Sequence, residues 1–422
     1  MTEDKKRNIV VPPAVIQAVL SQERVDEAPH SFYKYPARFS PLFAREAIKA
    51  FTEPRDTVVD PFCGGGTSLI EAIALGRKAA GFDISSLAVF LSRTKTTPIS
   101  VHDNREIMAW VELMESAKLE KLESTFDSVE EAAHYLRNLP GEATASFETI
   151  IHWTQLLPKE RQRRFVRLIL LSVGQWALDC KTDVPTWPIL RLEFCRRVKQ
   201  VAGQQFEFLS QVAAKNNMPR CRLTQMRRII NGSSENSHAD GRIPDDWLPA
   251  KLVLTSPPYP GVHVVYHRWQ INGRKETPAP FWLANSRDGA GEAHYCLGRR
   301  NEPDLKTYFD RLGRSFASVR GLVDKNSLVV QLVAFSQPEW QLPAYLQAME
   351  DAGFNELLPV CDREYLFEER IWRQVPGRKW YANQKGRTAS SKEVLLLHRP
   401  ARPAAVRNVD AAPSSRFART AV

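Results

Sequence analysis

The 422-residue chain has no C-x-x-C pair among its six cysteines and no regular cysteine framework. That excludes a paired-thiol zinc site and a disulfide scaffold, and it suits a reducing cytosol. No apolar run approaches 18 residues, and no leading apolar segment has signal-peptide character. The chain therefore reads as soluble and cytoplasmic, with no membrane partner. There is no internal repeat and no Gly-Lys-Ser/Thr phosphate loop. The G-x-G-x-x-G spacing of a dinucleotide turn is also missing. His263 and His267 have no cysteine or acid at ligand spacing, so no metal is expected.

What is present is a modest positive balance and two turns. Net charge is +10 and the pI is near 9.3, compatible with nucleic acid as a partner. Residues 399–422 hold five arginines against one aspartate, with Ala, Pro and Ser and no periodicity. Most of that stretch, 401–422, reads as a disordered basic tail able to touch phosphates.

The first turn is Val58-Val59-Asp60-Pro61-Phe62-Cys63-Gly64-Gly65-Gly66-Thr67. A strand runs into three glycines, and a helix opens with Leu69, Ile70, Ile73 and Ala74 on one face. Strand, glycine turn and helix let a ligand approach the backbone closely. An acid at the strand end suits a cationic ligand better than a pyrophosphate. The next strand, 78–82, ends at Asp83, which is placed to take both hydroxyls of a ribose or to cap the helix after Ser85. A nucleoside with a positive, phosphate-free arm fits both acids, and S-adenosylmethionine is such a ligand.

The second turn, Ser256-Pro257-Pro258-Tyr259, follows the buried-strand pattern Leu252-Val253-Leu254-Thr255. Two prolines end strand pairing and stiffen the chain. They present a hydroxyl, carbonyls and one ring to a flat amine-bearing heterocycle, although a plain loop has the same sequence.

Together these residues resemble the amino-methylating DNA methyltransferases. Asp60–Thr67 is similar to that family's first cofactor motif, Gly81-Phe82-Asp83-Ile84 to its second, and Thr255–Tyr259 to its catalytic motif. The segment His30–Pro41, with Tyr35 and Pro36, resembles the stretch that closes over the methionine end of the cofactor. The likeness implies a class I S-adenosylmethionine-dependent fold, α/β and Rossmann-like, with a mixed seven-stranded sheet and a mostly helical insertion. It implies a cofactor site of Tyr35, Pro36, Asp60, Pro61, Phe62, Cys63, Gly64, Gly66, Thr67, Asp83 and Ile84. The catalytic set is Ser256, Pro257, Pro258 and Tyr259. The family usually has an acid after the next strand; here Asn231-Gly232-Ser233-Ser234-Glu235 departs from it, and Ser233 or Glu235 is the substitute.

Serine before Pro-Pro-Tyr is usual in the family's cytosine-N4 enzymes, and aspartate in its adenine-N6 enzymes. Ser256 therefore points to N4 of cytosine. Adenine N6, guanine N2 in RNA, and a silent nucleic-acid-binding subunit are the competing readings. The transfer is direct: Ser256 and the Pro257 carbonyl accept the amine N–H bonds, and no covalent enzyme intermediate forms. A carbon-5 enzyme needs a cysteine in a Pro-Cys pair, which is missing. A target in double-stranded DNA has to be flipped out of the stack, with Tyr259 as its stacking ring. Restriction-modification or phage defence, beside a cognate endonuclease or defence proteins, is the implied setting, with the enzyme on the nucleoid.

The expected segments are an N-terminal extension (1–28), a cofactor half (29–99), a helical insertion (100–222), a catalytic half (223–400) and the tail. Helices are expected over 104–138, 147–180 and 189–214, and a polar loop near DNA over 271–304. Arg163 and Arg164 belong to a basic cluster on the insertion, which is a target reader, a solvated buttress or a partner surface. His263, His267 and Arg268 follow the catalytic turn, lining a pocket or a strand path, or joining the core. Arg373 and Lys379 lie in an alternating basic and aromatic run, either a DNA contact or a hairpin rim.

Overall fold

A computed structural model describes residues 8–23, 27–35, 40–120, 126–261, 269–271, 275–288, 297–298, 302–374 and 392–401. Eleven strands are present among them: β1 Asn8–Val10, β2 Thr57–Asp60, β3 Lys78–Asp83, β4 Arg227–Asn231, β5 Ala250–Thr255, β6 Trp269–Ile271, β7 Lys275–Thr277, β8 Val323–Ala334, β9 Phe354–Val360, β10 Ile371–Gln374 and β11 Lys392–Pro400.

Nine of these build one sheet in the order β1-β9-β11-β8-β5-β2-β3-β4, with β10 added beside β11. β11 runs antiparallel to β8 and β9, while β8, β5, β2, β3 and β4 are mutually parallel. The seven strands β9-β11-β8-β5-β2-β3-β4, with one reversed near an edge, are the mixed, Rossmann-like sheet that the sequence leads one to expect. Two further strands extend the expected seven: β1 pairs with β9, and β10 takes the part of the β11 edge that β9 leaves open.

The central strands are buried on both faces, so they read as continuous apolar runs and not as alternation. Val58, Leu252 and Leu254 face one core, with α1 (Pro13–Leu20) and α2 (Pro41–Phe51). Val59 and Val253 face the other, with the helices Lys306–Arg320 and Pro338–Asp351. From β2 the chain steps outward to β3 and, after the insertion, to β4, and then crosses back to β5 on the other side of β2. The C-terminal ends of β2 and β5 therefore flank the switch-point crevice where open α/β sheets bind ligands.

After α3 (Thr67–Ala74) and α4 (Ser86–Lys95) the insertion is helical, as expected: α5 Val101–Glu115, α6 Val129–Tyr135, α7 Gly141–Thr154, α8 Glu160–Leu178 and α9 Trp187–Lys215. Two expected helices are each a pair. The acidic stretch over 104–138 stops at Glu115 and restarts at Ser128, whose side chain accepts from the Glu131 N–H. The 147–180 stretch breaks before Pro158, because a residue preceding proline is pushed out of the helical region. A third core joins α5, α7, α8 and α9 to α4 and to Phe32, Tyr33 and Tyr35.

The expected polar loop over 271–304 is a correction in its first third. β6 and β7 form a hairpin, and α10 (Ala279–Leu283) follows. Trp269, Ile271, Phe281, Trp282 and Leu283 are all buried in the insertion core, and that apolar content outweighs the flanking charges. No helix among the described residues is long and apolar enough to cross a membrane.

Candidate active site

The glycine turn is fixed from three sides. The Cys63 N–H donates to the Phe82 carbonyl at 2.9 Å, and the Gly64 N–H donates to Asp83 Oδ2 at 2.9 Å. Ser92 Oγ donates to the Gly64 carbonyl at 2.9 Å. Gly66 starts α3 with φ +81°, and an added Cβ would stand 2.6 Å from Ser92 Oγ. Both constraints demand glycine there. Tyr35 lies on Gly64 and Gly65, with its ring 3.1 Å from the place of a Gly64 Cβ. The segment expected to close over the cofactor thus packs on the turn expected to hold it. Pro36 lies outside the described residues.

Asp83 ends β3 half-buried. Its second oxygen accepts from the Ser85 N–H at 2.8 Å, and Ser85 itself caps α4. The ribose-binding and capping readings of Asp83 therefore meet in one residue, because each oxygen keeps a further lone pair. Burial pushes its carboxyl up to about 6 against those two N–H donors. Ile84, next in sequence, is 39% exposed beside otherwise buried strand residues. Asn231 Nδ2 donates to the Asp83 and Ile84 carbonyls, both at 3.0 Å. A half-buried acceptor beside an open apolar side chain fits the ribose and base of a nucleoside.

Asp60 corrects the expectation of a direct cofactor acid. It is 1% exposed, and its oxygens accept from the Phe62 N–H at 3.1 Å, from Thr255 Oγ1 at 2.7 Å and from Ser68 Oγ. Burial pushes it up to about 6 in spite of these bonds. Its job is to tie the glycine turn to the last residue of β5. Asp60→Ala leaves three buried donors unmet and is expected to cost about 2–4 kcal/mol of unfolding free energy, measurable by urea melts. Pro61 and Thr67 are buried in the same turn, and Phe62 is half-buried. Cys63 is buried, and burial next to Asp83 and Asp60 holds its thiol well above the usual range, so it is a packed and inert residue.

Thr255 is fully buried and Ser256 half-buried, so the catalytic turn leaves the sheet one residue after the Asp60 contact. The two motifs, 195 residues apart in sequence at that contact, thus meet at the C-terminal ends of the adjacent strands β2 and β5. Ser256 Oγ and Tyr259 Oη are 3.0 Å apart. The Pro258 carbonyl accepts from Tyr308 Oη at 2.8 Å, which leaves the Pro257 carbonyl as the backbone acceptor of the proline pair.

Tyr259 is a second correction. Its ring is 5% exposed in the core and is no open stacking platform. Its hydroxyl donates to Glu393 Oε1 at 2.5 Å, and that bond holds the ring inward. Arg373 is a third. It is buried and bonds Glu393 Oε2 through Nε at 2.7 Å, so it cannot grip a phosphate. Arg163 bonds the Leu157 carbonyl at 2.7 Å and pairs with Glu160. Arg164 also pairs with Glu160 but keeps a side chain 41% exposed. The neighbouring bases are spent internally too, Arg161 on Asp103 and Lys159 on Glu106.

His263, His267, Arg268 and Lys379 lie outside the described residues. Ser233 caps a short turn by accepting from the Glu235 N–H, and Glu235 pairs with Arg314 at 2.7 Å. Neither of the two contacts the Ile84 backbone; Asn231 does. Glu393 and Asn231 escaped sequence reasoning. The only trace of Glu393 was a lone carboxylate opening an apolar strand.

Residues 6–92 match the family model described as DNA methylase, for N6 and N4 methyltransferases. Over that span the chain is similar to the amino-methylating DNA methylases. The glycine turn, Asp83 and Ile84 fit S-adenosylmethionine, the methyl donor that this likeness implies. A Type II methyltransferase of Kocuria varians, M.MvaI, is 40% identical over 76 residues, 17% of each chain. A Type II methyltransferase of Methanocaldococcus jannaschii, M.MjaII, is 24% identical over 90 residues, 21% of this chain and 17% of that one. The chain thus spans 17% of the length of the curated relatives it matches. An rRNA methyltransferase structure, aviRa of Streptomyces viridochromogenes, is 10% identical over 89% of this chain and 94% of that chain, with a TM-score of 0.32. The family match ends before Ser256, so it does not bear on the N4 or N6 target.

Proposed function

We propose that this chain methylates the exocyclic N4 of cytosine in double-stranded DNA, with the target base flipped into the crevice between β2 and β5. The observation that carries this is the Asp60–Thr255 hydrogen bond at 2.7 Å, which sets Ser256 beside the glycine turn. Bound S-adenosylmethionine supplies an electrophilic methyl group. Asp83 takes the ribose hydroxyls, and Ile84 covers one face of the adenine.

The target amine is a poor nucleophile because its lone pair is delocalised into the ring. Ser256 Oγ and the Pro257 carbonyl accept its two N–H bonds, and the lone pair is drawn out toward the methyl. Fixed acceptors do this without reorganisation during the reaction. A carbon–nitrogen bond forms as the methyl leaves sulfur. The surplus amine proton departs to solvent, since neither a hydroxyl nor a carbonyl retains it.

Serine in place of aspartate at position 256 favours cytosine over adenine through the family resemblance. The positive balance of +10 and the exposed Arg164 favour a polyanionic substrate. Restriction-modification, with a partner endonuclease, is the setting that the Type II relatives suggest. The test is to incubate the chain with DNA and, in a parallel reaction, with RNA, each with deuterated S-adenosylmethionine, digest to nucleosides and separate them by mass and retention. N4-Methyl-2′-deoxycytidine is expected. N6-methyladenine would move the target to adenine, and an unlabelled DNA pool with labelled RNA would overturn the DNA assignment.

A further inference from the structure

Behind Ser256 lies a chain of polar groups that the reaction above does not use. Arg373 in β10 and Glu393 in β11 are direct cross-strand partners. Arg373 approaches Glu393 Oε2 at 2.6–2.7 Å, and its other end reaches the Val19 carbonyl at 3.4 Å. Glu393 Oε1 receives Tyr259 Oη at 2.5 Å, and Tyr259 Oη lies 3.0 Å from Ser256 Oγ. Exposure is 6% for Arg373, 2% for Glu393 and 5% for Tyr259, so bulk water does not compete along the chain.

We propose that Glu393, clamped by Arg373, fixes the direction of this hydrogen-bond chain and thereby keeps Ser256 Oγ an acceptor toward the substrate amine. The inference rests on the function proposed above. Its logic is proton counting. A guanidinium only donates and a carboxylate only accepts. Tyr259 has one hydroxyl proton, and Glu393 takes it. The Tyr259 oxygen can then only accept, so the Ser256 hydroxyl proton points inward to it. What Ser256 offers the crevice is lone pairs. A serine whose proton faced the amine would bind the nitrogen lone pair that must attack, and would quench it. An aspartate at that position would need no such device, because a carboxylate has no proton to misdirect. Glu393, Arg373 and Tyr259 are positioning residues here, and Ser256 is the group that touches substrate.

Glu393→Gln separates this from a packing role, because it is isosteric and reverses the polarity. Arg373 claims the amide oxygen, so the amide N–H faces Tyr259. The Tyr259 proton then turns to Ser256, and the Ser256 proton turns to the substrate. Steady-state methylation of DNA is expected to show kcat lower by about 100-fold, with KM for S-adenosylmethionine and DNA within about threefold. In a Tyr259→Phe background the same change is expected to add less than about threefold, because the relay runs only through the phenol oxygen. Glu393→Asp keeps an acceptor and is expected to retain about tenfold more turnover than the Gln variant. This comparison also carries the test if Gln lowers the melting temperature.

Equal kcat in Gln and Asp variants would overturn the proposal. So would an undiminished Gln effect in the Phe background. A parent protein that transfers no methyl to DNA in the same assay overturns the proposed function and this inference with it. An active parent with an unaffected Gln variant overturns the relay alone.

Discussion

Ser256→Ala is expected to lower DNA methylation turnover by about 10²–10³-fold, with S-adenosylmethionine affinity and melting temperature close to the parent. The serine sits half-buried at the end of β5, and the stiffness of Pro257 and Pro258 holds it there. Alanine removes one of two fixed acceptors for the amine, together with the Ser256–Tyr259 bond, but neither of the longer-range bonds that anchor the turn. Those anchors are Thr255 to Asp60 and Tyr308 to Pro258. Single-turnover kinetics with labelled cofactor, beside calorimetric cofactor binding, separates the two quantities. A loss of cofactor affinity equal to the loss of turnover would mean that Ser256 supports the cofactor site. Parent-like turnover would remove the serine from the chemistry.

Asp83→Ala is expected to weaken S-adenosylmethionine binding by roughly 100-fold, while DNA affinity changes little. Two charge-assisted bonds to ribose hydroxyls at about 1.5 kcal/mol each give that factor. The same carboxylate also holds the Gly64 and Ser85 N–H groups, so some stability is lost with it. Asp83→Asn keeps an acceptor for one of them and serves as the control for folding. A pH dependence follows from the same group. With the carboxyl pushed up to about 6, the ionised acceptor is present above that pH and is lost below it. Cofactor affinity is therefore expected to fall as pH drops through about 6, and the fall should flatten in the Asn variant. Calorimetric titrations between pH 5 and 8 would read both. Affinity that rises on acidification would place the carboxylate away from the ribose.

Local chemistry carried the strands and both turns. Val58-Val59 and Leu252-Val253-Leu254 are apolar on both faces, so period alone cannot name them. The prolines and glycines that follow end them in the right places. Asp83 was legible for the same reason, as an acid closing an apolar strand before a serine cap. Long-range pairing was not legible. Asp60 looked like a ligand group because no sequence signal says that Thr255 reaches it across two strands. Arg373 looked like a phosphate contact because basic residues among aromatics read alike on a hairpin rim and in a core. Only its pairing with Glu393 in β11 decides which. Tyr259 failed as an exposed platform by the same route, its hydroxyl being drawn inward by a carboxylate 134 residues away. In the insertion, Arg161 and Lys159 balance Asp103 and Glu106 from a different helix, so counting arginines along α8 overstated the charge on its surface.

One crevice, shared by the glycine turn and the Ser-Pro-Pro-Tyr turn, is the claim on which the other assignments stand. A crystal structure of the chain with S-adenosylhomocysteine tests it directly. The expected result puts the ribose on Asp83 and the sulfur at the mouth of the Phe62–Gly64 turn, facing Ser256. An amine nitrogen seated on Ser256 Oγ and the Pro257 carbonyl would then lie roughly 3–3.5 Å from a methyl group on that sulfur. A ligand bound elsewhere, or a sulfur turned away from Ser256 with protein packed between them, would contradict it.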